Sequence, residues 1–530
     1  MLKKTISIYK EHVTILSILA LFIILASVRI FSPGFYYDEL LFLNASYFGK
    51  SSDLFIHQKM FGIPVMVMPY VGAIKSLIYA PIVNIFEVNE FTIRFPSILI
   101  VGFSLLVNYL TVKLLFNKKT AIIFLLLTSI DVSLIHHAKL DWGPTSLMLL
   151  FRNLSIYFYY KYALSTELKN SKYFVLFFIS LTLGILDKFN FIWIAISIII
   201  TILIFNSDKI KNINIFQIFK SNKLLTIFFI TIATLLLIIY FKNIPYLLNF
   251  DNSFTYIKNG EPVTISTFLG SFSQRLDEIK NLLYFIFTGS DVFIFVTGKE
   301  IPLISKIYFL IFLLVFFISN IYVFFFSEKK LVFYWLYTFI IILLLFNFFT
   351  KMASGSHHFM VFSSLLYLPI AYFLSELNTK WLLKIFCIFL LLISLSNLFI
   401  LENIWNKETN NVWDKNTKNV STYLYEMNPE KIICIDWGIC TIIQAYLNDR
   451  IQTIDFWPWF NRQLTEEELN WFKNEFIKKD VAFIGHLEKS VVFKSTLDNY
   501  NNLNDAWGLE RIKIFNNQNN EEFIFIDVLK

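Results

Sequence analysis

Long apolar runs separated by short polar breaks dominate the first 400 or so positions of the chain. A membrane-spanning helix needs about 20 predominantly apolar residues, and eleven segments approach or meet that requirement. The predicted spans are roughly 13–31, 94–116, 120–138, 144–163, 172–187, 189–206, 223–241, 303–326, 331–350, 359–377 and 381–401. The pattern predicts a polytopic α-helical membrane protein with about 11 transmembrane helices.

One further apolar segment, 65–86, is interrupted by Pro69, Lys75 and Pro81, and counting it as a span would invert the orientation of everything after it. Short loops rich in Lys and Arg lie on the cytoplasmic side of a membrane. If 65–86 lies along the outer surface, most loop lysines are cytoplasmic. The short outer turns then hold one lysine each, Lys139, Lys188 and Lys351. The sequence therefore predicts a cytoplasmic N-terminus and an extracytoplasmic C-terminus.

This topology divides the chain into a transmembrane domain, 1–401, with outer loops 32–93 and 242–302, and an outer tail, 402–530. In the tail, "KIICIDWGICTIIQAYLNDR" predicts a buried strand leading into a helix, and "TEEELNWFKNEFIKKD" predicts a helix capped by threonine. The runs "VAFIGHL" and "EEFIFIDVLK" predict strands. Asp436-Trp437-Gly438 is interpreted as a strand end packed in the core, without a chemical role. The tail is therefore expected to form a small α/β domain.

Composition agrees with the membrane prediction, since 56% of the residues are hydrophobic and only 16% are charged, against about 25% charged in soluble domains. The net charge of +7 does not indicate nucleic-acid binding, because the lysines lie in short loops between apolar segments. Three cysteines without a C-x-x-C pair argue against a zinc site or a disulfide framework. Cys434 and Cys440 could pair if they are extracytoplasmic, but two unpaired thiols are the favoured prediction.

Charged residues and histidines near a membrane are costly and usually functional, and here they collect at the outer ends of the spans. They are Asp38, Glu39, His136, His137, Lys139, Asp141, Asp187, Lys188, Lys351, His357 and His358. Carboxylates beside cations suit transfer from a lipid phosphate-linked sugar, with the phosphate on Lys or Arg and a carboxylate taking the acceptor's proton. A solvated helix start explains Asp38 and Glu39 equally well from position alone.

The order of these motifs resembles the polyprenyl-phosphate-dependent transferases of the GT-C superfamily, which include protein O-mannosyltransferases and lipid A aminoarabinose transferases (glycosyltransferase family 39 type). The first outer loop opens with Asp-Glu in "YYDELLFLNASYF", and Arg-x-Pro-Ser opens the second span in "FTIRFPSILIVGF". A basic residue and an Asp follow in "HHAKLDWGPTSLML", and "LGILDKFNF" closes the fifth span. In "SHHFMVFSSLLYLPIAYF" histidine stands where relatives often carry arginine.

The resemblance implies roles for individual residues. Asp38 is the expected general base with Glu39 beside it, and Asp141 is a second acid that orients the acceptor or sugar. Lys188 and Arg94 are candidates for donor-phosphate binding or structural support. His357 and His358 are further candidates for the donor phosphate, and His136 and His137 for acceptor or sugar contacts.

Lys59 is another candidate phosphate ligand, although an exposed, solvated lysine is the favoured interpretation. The two histidine pairs raise the alternative of a divalent metal. Adjacent histidines point in different directions on a helix, so no metal site and no required cofactor is predicted.

The predicted function is transfer of a sugar from a polyprenyl-phosphate donor to a protein, lipid or glycan acceptor on the outer face of the membrane, with inversion at the anomeric carbon. The partners are the lipid-linked sugar, the acceptor and membrane lipid, without nucleic acid. The rival hypotheses are a lipid or polysaccharide transporter and an outer-face glycan polymerase or ligase. Transporters tend to show repeats and polar sites at the midplane, which this sequence lacks.

Overall fold

A computed structural model describes residues 2–47, 54–164, 171–211, 215–249, 265–349, 355–377 and 380–530. Helices account for most of the first 405 residues. They are α1 (Leu2–Ser27), α2 (Tyr37–Leu41), α3 (Ile74–Ile85), α4 (Glu90–Leu115), α5 (Lys118–Ser129), α6 (Val132–Lys139), α7 (Thr145–Ala163), α8 (Lys172–Asp187), α9 (Phe191–Lys211), α10 (Ile215–Ser221), α11 (Lys223–Asn249), α12 (Ile265–Phe287), α13 (Asp291–Thr297), α14 (Leu303–Phe326), α15 (Lys330–Phe349), α16 (Ser356–Ser363), α17 (Tyr367–Glu376) and α18 (Lys380–Trp405).

Each predicted span coincides with one of these helices or with a consecutive pair. Within the described residues, six helices are long and apolar enough to cross a membrane, and up to eight if each of two sharply bent pairs counts as one span. This count is lower than eleven because several spanning candidates are short or polar. The helix α8 has 16 residues, for example, and α7 contains the buried Arg152. A multi-pass helical membrane region, as predicted, is confirmed.

Side-chain caps explain where several helices begin. Asn89 precedes α4, where its side chain accepts from the Thr92 amide at 3.1 Å and the Thr92 hydroxyl accepts from the Asn89 amide at 2.9 Å. Asp131 lies between α5 and α6 and accepts from the Leu134 amide. Because an N-cap starts a new helix, the predicted span 120–138 is broken at this point by 62°.

The segments 32–93 and 242–302, which the sequence predicts to be outer loops, contain more structure than their sequences suggest. The apolar segment 65–86 is not one helix. It belongs to a three-stranded antiparallel sheet, β1 (Gln58–Met60), β2 (Ile63–Met68) and β3 (Val71–Gly72), followed by α3 of 12 residues. In 242–302, the described residues from 265 onwards form α12 and α13, a pair bent by 97°. Polar residues at regular intervals in α12 hide it from a hydropathy prediction.

The tail forms the predicted α/β domain. Its elements are α19 (Thr417–Met427), β4 (Lys431–Cys434), α20 (Ile439–Leu447), β5 (Gln452–Asp455), α21 (Trp457–Phe460), α22 (Glu466–Phe476), β6 (Val481–His486), α23 (Lys494–Trp507), β7 (Leu509–Asn516) and β8 (Glu522–Leu529). The sheet order is β5-β4-β6-β8-β7, with β5, β4 and β6 parallel and β8 antiparallel to both its neighbours. The predicted Thr465 cap is present on α22, and Cys434 and Cys440 are buried and not joined by a disulfide in this structure.

A shared apolar core joins this domain to the segment 32–93 that follows α1. Phe35 and Leu40, from the chain around α2, pack in one cluster with Ile439 and Ile443 of α20. Burial of large apolar side chains stabilises such a contact by about 1.5–3 kcal/mol each. The C-terminal domain therefore fixes the position of α2, which carries Asp38 and Glu39.

Candidate functional site

The site begins at α2, whose first turn contains both adjacent carboxylates. The Tyr36 amide donates to Glu39 Oε2 at 3.1 Å, which turns the Glu39 side chain back into the protein. Glu39 is 1% exposed, whereas Asp38 is partly exposed. The two neighbours therefore occupy different environments.

Glu39 is bound by Arg94 in the first turns of α4. The guanidinium donates from Nε to Glu39 Oε1 at 2.9 Å and from one terminal nitrogen to Oε2 at 3.0 Å. Its other donors bind the carbonyls of Ile30, Pro33 and Gly34 at 2.8–2.9 Å. All five donors of arginine are thus occupied inside the protein. This arrangement supports the structural alternative for Arg94 and leaves no donor for a phosphate.

Asp38 lacks comparable support, since no described residue donates a hydrogen bond to its carboxylate. Loss of hydration raises the pKa of Asp38 to about 7, although the positive charges of Lys188 and Lys75 oppose the rise. A carboxyl group with this pKa is ionised in part at neutral pH and is well matched to accept a proton there.

Lys75 is the residue that the sequence prediction missed. It is 2% exposed in α3, and its ammonium lies 3.0 Å from Asp141 Oδ2 and donates to the Asp141 carbonyl at 2.8 Å. Asp141 also accepts from the amide and the hydroxyl of Ser146, at 3.1 and 2.7 Å. The available signal was a lysine inside an apolar segment, which is costly unless it has a partner.

Lys188 follows α8 directly and is 2% exposed. Its backbone forms an isolated bridge with Val71 of β3. No described residue accepts a hydrogen bond from its ammonium. Burial lowers the pKa of Lys188 to about 8, although Asp187, Asp141 and Asp38 oppose this shift. Within the described part of the chain, Lys188 therefore offers a cation without a hydrogen-bond acceptor.

Gly143 keeps the space beside this ammonium open. A Cβ atom at position 143 would lie 3.2 Å from Lys188 Nζ and 3.7 Å from the His357 ring. Asp187 is a further neighbour, fully buried, with neither carboxylate oxygen hydrogen-bonded to a described residue. The carboxylates of Asp38, Asp141 and Asp187 and the ammonium groups of Lys75 and Lys188 thus form one electrostatically coupled group.

The histidine pair at the start of α16 adjoins this group. His357 Nδ1 accepts from Trp142 Nε1 at 3.1 Å, and its ring lies beside Gly143. His358 Nε2 lies 3.3 Å from Asn190 Nδ2. Lys351, the outer-turn lysine before this pair, lies outside the described residues.

The other histidine pair makes its contacts inside the fold. His136 is fully buried against the Trp405 ring, 4.5 Å between centroids, and His137 Nε2 lies 2.6 Å from Asp291 Oδ2. These contacts favour structural roles over acceptor binding. Lys59 is exposed on β1, in agreement with its favoured interpretation. Among the described residues, no group of three or more His, Cys, Asp or Glu side chains is arranged to hold a metal ion.

Comparison with known proteins defines the class. Residues 73–238 match the family described as dolichyl-phosphate-mannose-protein mannosyltransferase. This range includes Lys75, Arg94, Asp141 and Lys188. The predicted resemblance to GT-C glycosyltransferases is thereby confirmed, and the match over 73–238 supports a glycosyltransferase activity for this membrane protein. No curated protein matches the sequence.

Solved structures extend the similarity of fold to almost the whole chain. ArnT from Cupriavidus metallidurans, in its crystal structure with undecaprenyl phosphate, is similar with a TM-score of 0.56 and 9% identity over 97% of each chain. The oligosaccharyltransferase AglB from Archaeoglobus fulgidus, in complex with an inhibitory peptide and a dolichol-phosphate, matches with a TM-score of 0.48 and 12% identity. That match covers 89% of this chain and 69% of AglB. Neither the transporter alternative nor the glycan polymerase or ligase alternative is favoured.

Proposed function

We propose that this chain transfers one sugar from a polyprenyl-phosphate donor to an acceptor hydroxyl on the outer face of a bacterial inner membrane, with Asp38 as the general base. The observation that carries the proposal is the contrast at α2: Glu39 is fully engaged by Arg94, whereas Asp38 is partly exposed, without a hydrogen-bonding partner among the described residues, and has a pKa of about 7. The crystal structure of ArnT with undecaprenyl phosphate supports the choice of donor class.

The reaction is a single displacement. Asp38 takes the proton of the acceptor hydroxyl as that oxygen bonds to the anomeric carbon, and the bond from the anomeric carbon to the phosphate oxygen breaks. The configuration at the anomeric carbon inverts, and polyprenyl phosphate leaves with the bonding electron pair. Charge accumulates on the departing phosphate, and a fixed cation stabilises it. Lys188 suits this role because its ammonium lacks a protein acceptor among the described residues.

The remaining residues support these two. Lys75 and Asp141 bind each other and are proposed to set the position and charge of the site, with Asp141 also able to orient the acceptor. His357 lies beside Gly143 and Lys188 and is proposed to contact the donor. Glu39 and Arg94 are proposed to hold the loop that presents Asp38.

We also propose that the cytoplasm contains the N-terminus, and that residues 402–530 form an extracytoplasmic domain above the membrane part, 1–401. Two observations support this orientation. Loop lysines are concentrated on the side of the membrane that carries the N-terminus, which is the cytoplasmic side by the positive-inside rule. The C-terminal domain packs against α2, which follows the other end of the first span.

The test measures the rate of sugar transfer by purified full-length protein in detergent. The donor is a polyprenyl-phosphate sugar, and an envelope extract supplies the acceptor. Asp38→Asn should lower the rate about 10²–10⁴-fold while binding of undecaprenyl phosphate is retained. Asp480→Asn, which removes an exposed carboxylate of the C-terminal domain, is the matched control. Near-wild-type transfer by Asp38→Asn would reject Asp38 as the base and direct attention to Asp141.

A further inference from the structure

A group of aromatic side chains lies where the parallel strands of the C-terminal domain end. Trp437 follows β4, Trp457 follows β5, and Phe493 lies in the segment after β6. In open α/β sheets, ligands bind in the crevice outside the carboxyl ends of such strands. The location alone therefore makes this edge a candidate binding surface. The three residues are called the aromatic cluster below.

The rings of the aromatic cluster contact one another in a defined geometry. Trp437 and Trp457 are nearly perpendicular, at 84° with centroids 4.4 Å apart, and Phe493 stacks on Trp457 at 15° and 5.4 Å. Phe55 of the first outer loop lies 6.3 Å from Trp457. All four side chains are partly exposed, and Phe493 is 36% exposed. The sequence prediction that placed this strand end in the core holds for Asp436, which is buried, but Trp437 reaches the surface.

Asp436 holds the aromatic cluster together. Its Oδ1 accepts from the Trp437 amide at 2.8 Å, and its Oδ2 lies 2.7 Å from His486 Nδ1 at the end of β6. The same Oδ2 accepts from the Val492 amide at 3.4 Å, next to Phe493. One buried carboxylate thus ties the segments that carry Trp437 and Phe493. A surface held in this way loses little conformational entropy when a ligand binds.

The aromatic cluster contacts α2, the helix that carries Asp38. The Tyr37 ring lies 6.2 Å from the Trp437 ring, and Tyr37 directly precedes Asp38. Gly438 has φ of +77°, and a Cβ atom there would lie 2.4 Å from Tyr37 Cβ. Only glycine tolerates both the conformation and the close approach. A ligand that rests on Trp437 therefore lies next to the residue proposed to activate the acceptor.

We propose that the aromatic cluster binds a sugar ring of the acceptor, so that the acceptor is a glycan or carries one. A pyranose ring presents a rigid apolar C–H face and a rim of hydroxyl groups. Flat, immobile aromatic side chains match the apolar C–H face of the sugar. A binding site needs only a few polar groups to hydrogen-bond the hydroxyl rim. An acyl chain gains apolar burial on any nonpolar surface, whatever its geometry, whereas a rigid set of flat rings matches a rigid ligand such as a pyranose. This inference rests on the proposed function, since it names the acceptor class for the same site.

The experiment uses full-length protein in nanodiscs on a printed array of bacterial surface oligosaccharides, beside an array of Ser- and Thr-containing peptides. Trp457→Ala and Phe493→Ser should each weaken glycan binding about tenfold, a typical effect of removing an aromatic anchor. Trp471→Ala is the matched control, because Trp471 is 46% exposed in the same domain and stacks on Trp459, outside the cluster. Thermal unfolding identifies any variant that fails to fold, and the exposed Phe493 remains informative if Trp457→Ala is unstable.

Glycan binding that falls in both cluster variants and persists in Trp471→Ala supports the inference. Binding to peptides alone, absence of glycan binding by the wild-type protein, or glycan binding indifferent to the cluster variants would overturn it. The proposed function is monitored separately through the shift in unfolding temperature caused by undecaprenyl phosphate, which Lys188→Met should reduce. A wild-type protein that shows this shift but binds no glycan refutes the acceptor class and leaves the donor assignment standing.

Discussion

Replacing the adjacent carboxylates of α2 by their amides, Asp38→Asn and Glu39→Gln, should change stability in opposite directions. Both substitutions remove one negative charge and keep nearly the same shape, one residue apart. Their surroundings differ, because Glu39 is 1% exposed and ion-paired with Arg94 at 2.9 Å, whereas Asp38 is partly exposed and has no hydrogen-bonding partner among the described residues.

Glu39→Gln leaves the Arg94 guanidinium buried without a countercharge. The glutamine oxygen can accept one of the two hydrogen bonds, but its NH₂ group faces a second donor of Arg94. Removing one partner of a buried ion pair costs about 3–5 kcal/mol. Native proteins are stable by only about 5–15 kcal/mol, so a marked drop in unfolding temperature is expected.

Asp38→Asn removes a carboxylate whose pKa rises from 3.8 in its ordinary state to about 7 in the folded protein. The ionised group is therefore disfavoured by folding, by up to about 4 kcal/mol at 1.36 kcal/mol per pKa unit. This destabilisation reaches its full value above pH 7 and becomes smaller as the pH falls. It vanishes below pH 3.8, where Asp38 is protonated in both the folded and the unfolded protein. Asp38→Asn should stabilise the protein at pH 8 and do so less at pH 5.

The assay is thermal unfolding of full-length protein in detergent at pH 5 and pH 8, followed by the fluorescence of its 11 tryptophans. At pH 8 the unfolding temperature of Asp38→Asn should exceed the wild-type value, and that of Glu39→Gln should fall well below it. Asp480→Asn, at an exposed position, should leave the unfolding temperature unchanged at both pH 5 and pH 8. A decrease in unfolding temperature for Asp38→Asn as large as that for Glu39→Gln would refute the reasoning. It would show that the Asp38 carboxylate also stabilises the fold.

Three other outcomes are expected. The transfer rate should rise through pH 7 as Asp38 ionises and fall above pH 8 as Lys188 loses its proton. Initial rates measured from pH 5.5 to 9.5 test this. Rates that do not decrease below pH 7 would contradict the assignment of Asp38 as the base. Lys188→Met should insert and fold but bind undecaprenyl phosphate about 10–100-fold more weakly, from the 1.5–3 kcal/mol of a charged hydrogen bond; an absent protein would instead indicate a structural pair with Asp187. Reporter fusions at Ser207 and Lys530 should report cytoplasmic and outer locations respectively, and a cytoplasmic tail would overturn the topology.

Local pattern was enough to predict a multi-pass helical membrane region and the outline of the C-terminal domain. Apolar run length located the spans, and the threonine cap located α22 at Glu466–Phe476. The end of the first predicted span placed Asp38 in the loop that follows α1. These features depend on neighbouring residues in the chain, because helix formation, capping and membrane insertion act over one segment at a time. The amphipathic α12 was missed since its polar residues lower the mean hydropathy of the segment.

Only the tertiary structure decided which of two adjacent carboxylates is available for chemistry. Glu39 is occupied by Arg94, 55 positions away, and Asp141 by Lys75, 66 positions away, while Asp38 has no such partner among the described residues. The close approach of Gly438 to Tyr37 joins segments about 400 residues apart. Adjacent carboxylates look alike in a sequence, because hydrogen-bond saturation and loss of hydration depend on contacts between distant segments, and those contacts exist only once the chain has folded.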